Sequence, residues 1–243
     1  MKSILISLLL SLLSYTTTFA QEKEAPAAPV EKGKWGLQDY KRFKAYLNTL
    51  PLDAYPTLKN EKTKAIFQKV ISSDYKDFLR DEAISLEVKM PYVMSYHQSM
   101  IELLRSYLMA YMKEKKYGIE LAYIQGVSID ISAEIIPLIK ELIKTFDKND
   151  ETYQVRMNGL KQMRFGLKQQ LEGAWINIRD IETSTDEERI ILTTYFSKAA
   201  VPILKFIESS DKKEFITKMK KYIPFEPNPK VKELLKELLS KLN

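Results

Sequence analysis

The 243-residue chain carries 38 Lys and Arg against 32 Asp and Glu, a formal net charge of +6. It has no cysteine, which excludes disulfides, thiolate nucleophiles, cysteine-ligated zinc and covalently attached haem. Its single histidine excludes the paired Glu-x-x-His motifs of di-iron helical bundles. The charge is modest and no aromatic residues are interleaved with the basic run, so we predict no nucleic-acid binding.

Residues 1–20 have the pattern of an export signal. Lys2 provides a positive start, 4–13 is apolar except for serines, and 18–20 ends in a small residue before Gln21. The apolar run is about half of the roughly 20 residues that a membrane span needs, so we predict a cleaved signal peptide rather than the alternative, an uncleaved anchor. The mature chain is then periplasmic or secreted, with no transmembrane segment. Residues 21–36, rich in Glu, Lys, Ala and Pro, are predicted to be a flexible linker.

A helical domain is predicted for residues 37–223, because apolar residues recur at three- and four-residue spacing and strand patterns are nearly absent. Short amphipathic helices are expected at 37–50, 57–72 and 74–90. Four long helices are expected at 92–117, 119–146, 151–182 and 185–208. The last begins at a capping box, 185–188. Wide apolar faces and short polar connections predict an all-α, up-and-down bundle of four long helices with shorter flanking helices at both ends.

The C-terminal region, 224–243, is predicted to be a proline spacer followed by an amphipathic helix. Leu235 and Leu238 belong to its leucine stripe and Lys236 to its basic surface. From residue 211 onward, nine lysines face five acidic residues, which is +4 of the +5 that remains once Lys2 is removed with the leader. The helix therefore either contacts a partner or an anionic envelope surface, or closes the end of the bundle itself.

His97 lies on the apolar stripe of the first long helix, near Tyr96, Met100 and Tyr107. Two functional interpretations are a haem axial ligand with a methionine partner and a buried general base. The alternative is a core histidine whose ring nitrogens are satisfied by a neighbouring tyrosine or carbonyl. The four residues together are candidates for lining an apolar ligand.

Gly159, Gly166 and Gly173 recur every seven residues in the third long helix, with Gln162 and Gln169 on the same flank. Glycine lowers helix stability, so these positions call for a compensating contact. One interpretation is a tight seam against a neighbouring helix or an N-terminal segment, with amides hydrogen-bonding across it. The other is a shallow amide-lined groove for a partner peptide or a small polar ligand.

No metal site or catalytic group is predicted. Residues 147–151 resemble the start of a calcium loop, but Thr152 replaces the glycine of the sharp turn and Asn158 replaces the bidentate glutamate. The acids at 186–188 suit the positive end of a helix dipole. We therefore predict no metal, no cofactor and no enzymatic activity.

The sequence favours a non-enzymatic exported binding protein that contacts a protein partner or an anionic envelope surface, through the glycine line or the C-terminal helix. The alternative is a carrier of an apolar ligand or cofactor within the bundle. A close-packed interior favours the first function. A connected void of several hundred cubic ångströms near His97 favours the second.

Overall fold

A computed structural model describes residues 34–242, and all regular secondary structure in that range is helical, as predicted. The shorter helices before the long ones are α1 (Leu37–Leu47), α2 (Glu61–Val70) and α3 (Asp74–Arg80). The long helices are α4 (Leu86–Glu114), α5 (Gly118–Lys144), α6 (Tyr153–Arg179) and α7 (Asp186–Leu204). The chain ends with α8 (Ser209–Tyr222) and α9 (Pro229–Ser240), and 3-10 turns lie at Leu52–Ala54 and Ile223–Phe225.

The predicted signal peptide and residues 21–33 of the predicted linker lie outside the described residues. The last linker residues, 34–36, are attached to the body of the protein. Trp35 is buried and its ring contacts Tyr40 and Phe43 of α1. Its backbone N–H donates to Asp74 at 3.0 Å. The chain is therefore held in place from Lys34 onward.

Helix α5 forms the centre of the fold. It packs most extensively on α7 and then on α4. Among the described residues, α5 alone is long and apolar enough to cross a membrane by length and composition. However, 78% of its most apolar 18-residue window is buried inside the protein. Neighbouring helices therefore cover the side chains that make α5 so apolar.

The most extensive helix pair, α5 and α7, runs parallel, whereas the sequence favoured antiparallel neighbours. Gly118 lies against Glu188 at the start of both helices, and Gly126 lies against Tyr195 about two turns further along both. A Cβ on Gly126 would come within 2.5 Å of the Tyr195 ring. Glycine at this position therefore allows the two helices to approach closely.

Tyrosine hydroxyls attach the N-terminal part of the chain to the long helices. Tyr40 donates to the Val70 carbonyl at 3.1 Å, which joins α1 to the end of α2. Tyr107 of α4 donates to the Pro56 carbonyl, and Tyr117 donates to the Leu52 carbonyl, both at 2.8 Å. Buried phenols need such partners, and here the partners are carbonyls outside helical hydrogen bonding.

The C-terminal helix α9 is docked on the body, mainly on α7. Its buried apolar face consists of Val231, Leu235 and Leu238, and Leu242 just beyond the helix is buried as well. Asn228 caps the helix, since its side-chain oxygen accepts from the backbone N–H groups of Lys230 and Val231. Of the two interpretations of this segment, the structure therefore agrees with closure of the protein's own end.

Candidate functional site

His97 joins three helices. Its Nε2 lies 3.1 Å from Ser132 Oγ on α5 and 3.5 Å from Gln170 Nε2 on α6. Ser132 Oγ lies closest to Gln170 Oε1, at 2.6 Å, and Gln170 Nε2 donates to Ser128 Oγ at 2.9 Å. Because a hydroxyl donates one proton, we assign that of Ser132 to Gln170, and His97 Nε2–H then donates to Ser132.

The chemistry of this cluster is that of a neutral hydrogen-bond network. Burial lowers the pKa of His97 to about 4, so the ring is uncharged near neutral pH. Ser132 is buried and its single hydroxyl proton is donated to Gln170, so the hydroxyl has no free proton for a substrate. The arrangement therefore resembles the core histidine that was one of the expected alternatives, although serine and glutamine replace the expected tyrosine or carbonyl partner.

The other candidate ligand-lining residues, Tyr96, Met100 and Tyr107, are fully buried in the packed core. Tyr96 contacts the rings of Tyr40 and Tyr75. A surface groove of about 310 Å³ lies between α5 and α7, and none of the four candidates lines it. A ligand cavity around His97 therefore has no support in the described part of the chain.

The seam expected along α6 is not found at Gly159 and Gly166. Apart from the adjacent residues and the nearby backbone of α6 itself, no atom of residues 34–242 lies within 4 Å of the place where a Cβ would be at either glycine. No neighbouring helix of the described residues therefore packs closely at these two positions, and most of the N-terminal segment, the other expected neighbour, lies outside those residues. Contact with α5 comes from Gln170 and Asn177, further toward the end of α6, and Asn177 Nδ2 donates to Gln125 at 2.9 Å.

An exposed side of α6 carries no charged side chain. Charged residues of this helix lie on its other flank, where three of them form ion pairs with residues at or just before α8. These pairs are Arg164 with Glu208 at 3.0 Å, Lys168 with Asp211 at 2.7 Å and Glu172 with Lys218 at 3.4 Å. We call the uncharged side next to this flank the α6 face. By helical spacing it comprises Val155, Asn158, Gly159, Gln162, Phe165, Gly166, Gln169 and Gly173.

Large apolar groups are exposed on the α6 face. Phe165 is 58% exposed and Val155 is 72% exposed, and both lie near the uncovered glycines. A helix side that faces water ordinarily carries charged residues. Exposed aromatic and aliphatic groups in an uncharged strip are typical of contact surfaces, and here Lys161 and Lys168 border the strip beside Phe165.

The structure brings together two groups of candidates that the sequence had kept apart. His97 of α4 contacts Gln170, and Gln170 lies one turn from both Gly166 and Gly173 along α6. Met94 is exposed one turn before His97 on α4. The His97–Gln170 contact thus places His97 beside the part of α6 that carries Gly166 and Gly173.

Two of the C-terminal candidates need correction. Leu235 and Leu238 are fully buried against the body of the protein, because α9 uses its leucine stripe to dock within the chain. Lys236 is exposed, whereas Lys230 pairs with Glu233 at 2.8 Å. While α9 stays docked, its leucines are not available to a partner.

No protein-family model matches the chain, and neither do the curated proteins or the solved structures compared with it. Within residues 34–242, no cluster of three His, Asp or Glu side chains is placed to hold a metal ion. The α6 face is therefore the main candidate for a functional contact within the described residues.

Proposed function

We propose that this chain is a non-enzymatic, exported interaction protein that binds a protein partner through the α6 face. The observation that carries the proposal is the open space at Gly159 and Gly166 on an exposed helix. Each glycine costs the helix about 1 kcal/mol relative to alanine. Within the described chain no close contact offsets this cost, whereas a partner backbone lying along the glycines would.

The chemistry of the α6 face favours a protein over an anionic surface. Cores of protein interfaces are poor in charged residues and rich in aromatic ones, and this face offers Phe165 and Val155 without any charge. The amides of Gln162 and Gln169 supply donors and acceptors for a partner's backbone. In this proposal α4 to α7 form an up-and-down bundle, and α6 presents one side outward.

Export is part of the proposal. The pattern of residues 1–20 supports a leader that is removed before Gln21, which places the mature protein in a periplasm or the medium. The intact mass of the protein recovered after expression with its own leader tests this. A mass that begins at Gln21, found outside the cytoplasmic fraction, is the expected result. An uncut chain in the cytoplasm contradicts it.

Site-specific photocrosslinking in the cells of origin tests the α6 face. A photoreactive residue at Gln162 should give one crosslinked product of defined mass. The same residue at Lys220, which is exposed on α8, should not give that product. Adding Phe165→Ser, or Gly166→Leu, which fills the open space, should remove the product while circular dichroism stays unchanged.

Two results would overturn the proposal. One is the same product from both crosslinking positions, which would indicate contact without specificity. The other is a Gln162 product that persists in full with Phe165→Ser and with Gly166→Leu, because the exposed ring and the open glycine would then play no part.

A further inference from the structure

We infer that the groove between α5 and α7 is a binding site for a small carboxylate with an apolar body. The groove has a volume of about 310 Å³. It is lined by Tyr123, Ile190, Ile191, Thr194, Tyr195 and Lys198. It lies on a different pair of helices from the α6 face, and the inference is independent of the proposed function.

Close packing holds the walls of the groove in place. The Tyr195 ring lies over Gly126, where a Cβ would come within 2.5 Å of it. Tyr123 meets Tyr195 edge to face, with ring centroids 6.3 Å apart. Ile190 and Ile191 supply aliphatic surface beside the two rings. These groups form a preorganised aromatic and aliphatic surface on which the apolar part of a ligand can pack.

The polar groups of the groove are hydrogen-bond donors without partners in residues 34–242. Lys198 is exposed and forms no ion pair within that range. The hydroxyls of Tyr123 and Tyr195 form no hydrogen bond there either. The pKa of Tyr195 is raised, mainly by burial and to a smaller extent by Tyr123 and Asp130. Its hydroxyl therefore keeps its proton and remains a donor.

Asp130, whose charge raises the pKa of Tyr195, does not pair with Lys198. Asp130 is bound by the Lys76 ammonium at 2.6 Å and accepts from the Tyr75 hydroxyl at 2.6 Å, both from α3. Thr194 donates its hydroxyl to the Ile190 carbonyl at 2.8 Å. One ammonium and two phenol groups line the same apolar groove, and a carboxylate is a ligand group that can accept hydrogen bonds from ammonium and phenol donors.

The size of the groove limits the ligand. Small-molecule sites range from about 300 to 1,000 Å³, and this groove is at the lower end. It would take one aromatic ring or a medium-length alkyl chain, with the carboxylate at Lys198. We therefore expect aryl-alkanoates and medium-chain fatty acids to bind, and the corresponding uncharged amides to bind less well.

Isothermal titration of the mature protein tests the site with two probes, 3-phenylpropionate and 3-phenylpropionamide, which share the same apolar body and of which only the first carries a charge. The carboxylate should bind saturably and about tenfold more tightly than the amide, which is the effect of one charge-assisted hydrogen bond. Lys198→Met should remove that preference. Lys205→Met, at an exposed lysine seven residues further along, should leave it unchanged. Tyr195→Phe should weaken carboxylate binding and retain binding of the amide.

Three results would overturn the inference. The first is no saturable binding of the carboxylate up to 10 mM, about tenfold above the millimolar range of weak ligands. The second is equal binding of the carboxylate and the amide. The third is a carboxylate affinity that Lys198→Met leaves unchanged, which would place the bound anion elsewhere. Circular dichroism of each variant separates these outcomes from unfolding, and none of the three bears on the α6 face.

Discussion

Arg189 of α7 and Glu226 form a buried ion pair, with side chains that are 1% and 0% exposed. The other polar groups of the pair have partners as well. Arg189 Nε donates to the Ile178 carbonyl at 2.7 Å, and the Tyr222 hydroxyl and the Asn228 backbone N–H donate to the Glu226 carboxylate. This network joins the end of α6, the start of α7 and the segment before α9. Two charges tolerate such burial only when all their hydrogen-bonding groups are satisfied.

Arg189→Met should lower the free energy of unfolding by about 3–5 kcal/mol, because it leaves the buried Glu226 carboxylate without its counter-charge. Urea denaturation followed by circular dichroism measures the change. The double variant Arg189→Met with Glu226→Met should recover a large part of the loss. Asp186 contacts the same arginine at 3.2 Å but is mostly exposed, so Asp186→Asn should cost less than about 1 kcal/mol. Equal losses for Asp186→Asn and Arg189→Met would contradict this account.

The stability of the protein should fall between pH 6.5 and about 4 because of His97. Burial lowers the pKa of this histidine to about 4 in the folded protein, from 6.5 in the unfolded chain. Between these values the unfolded chain takes up a proton that the folded protein does not, so acidification favours unfolding. The contribution is fully present above pH 6.5, and up to about 3 kcal/mol is lost as the pH falls to 4.

The matched variant for this prediction is His97→Gln, which keeps a hydrogen-bonding side chain and removes the titration. Carboxylates also titrate at the lower end of the window, so the informative quantity is the difference between wild type and variant at each pH. We expect the wild type to lose more stability than His97→Gln on acidification from pH 6.5. Parallel pH profiles would show that His97 is not responsible.

The helices of this fold follow from local patterns that the sequence displays. Three- and four-residue apolar spacing located the last three long helices, and the Thr185–Glu188 capping box marked the start of α7. The start of α4 was wrong: a break was predicted at Pro91 between helices at 74–90 and 92–117, but α4 begins at Leu86 and contains Pro91. The pairing of α5 with α7 was not predictable, because it depends on Gly126 lying opposite Tyr195, 69 positions later. Nothing local to either residue indicates that contact. Likewise, a helix pattern cannot show that α9 docks on the chain's own α7.

The sequence indicated only some of the residues of the candidate site. The seven-residue glycine spacing drew attention to α6, but it left open whether the glycines form a tight seam or a groove, and the described residues leave open space at Gly159 and Gly166. The polar cluster around His97 was missed, although Ser128 and Ser132 stand four residues apart and are both buried within α5. That spacing places both hydroxyls on one flank of α5 and was the available clue. Gln170, on the opposite helix, became their partner through tertiary packing alone.

Gly159→Ala and Gly166→Ala should each stabilise the isolated protein by up to about 1 kcal/mol. Both positions have room for a methyl group, and alanine is the better helix former. Denaturation midpoints measure the gain. If the α6 face binds a partner backbone closely, the same substitutions should weaken the Gln162 crosslink while the protein becomes more stable. A loss of stability would show that these glycines have a contact within the chain.

Gly126→Ala is the opposite case and serves as the control. Its methyl group would come within 2.5 Å of the Tyr195 ring, at atoms near the ring's attachment that cannot easily move aside. We expect a loss of about 1–3 kcal/mol, the usual cost of overpacking, in spite of the gain in helix propensity. The contrast between Gly126 and Gly166 separates the effect of close packing from that of propensity, because both glycines lie within long helices. A stabilised Gly126→Ala protein would show that α5 and α7 do not approach as closely as described.

Leu235→Ala in α9 should destabilise the protein by about 2–5 kcal/mol, since this fully buried side chain would leave a cavity against the body. Leu234 is only half-buried in the same helix, and Leu234→Ala should cost clearly less. The pair has the same chemistry and helix propensity, so the difference reports burial alone. A leucine stripe reserved for an outside partner would give two small and similar losses in the isolated protein. A docked helix should instead give unequal losses of stability, because Leu235 is buried in the core whereas Leu234 is only half-buried.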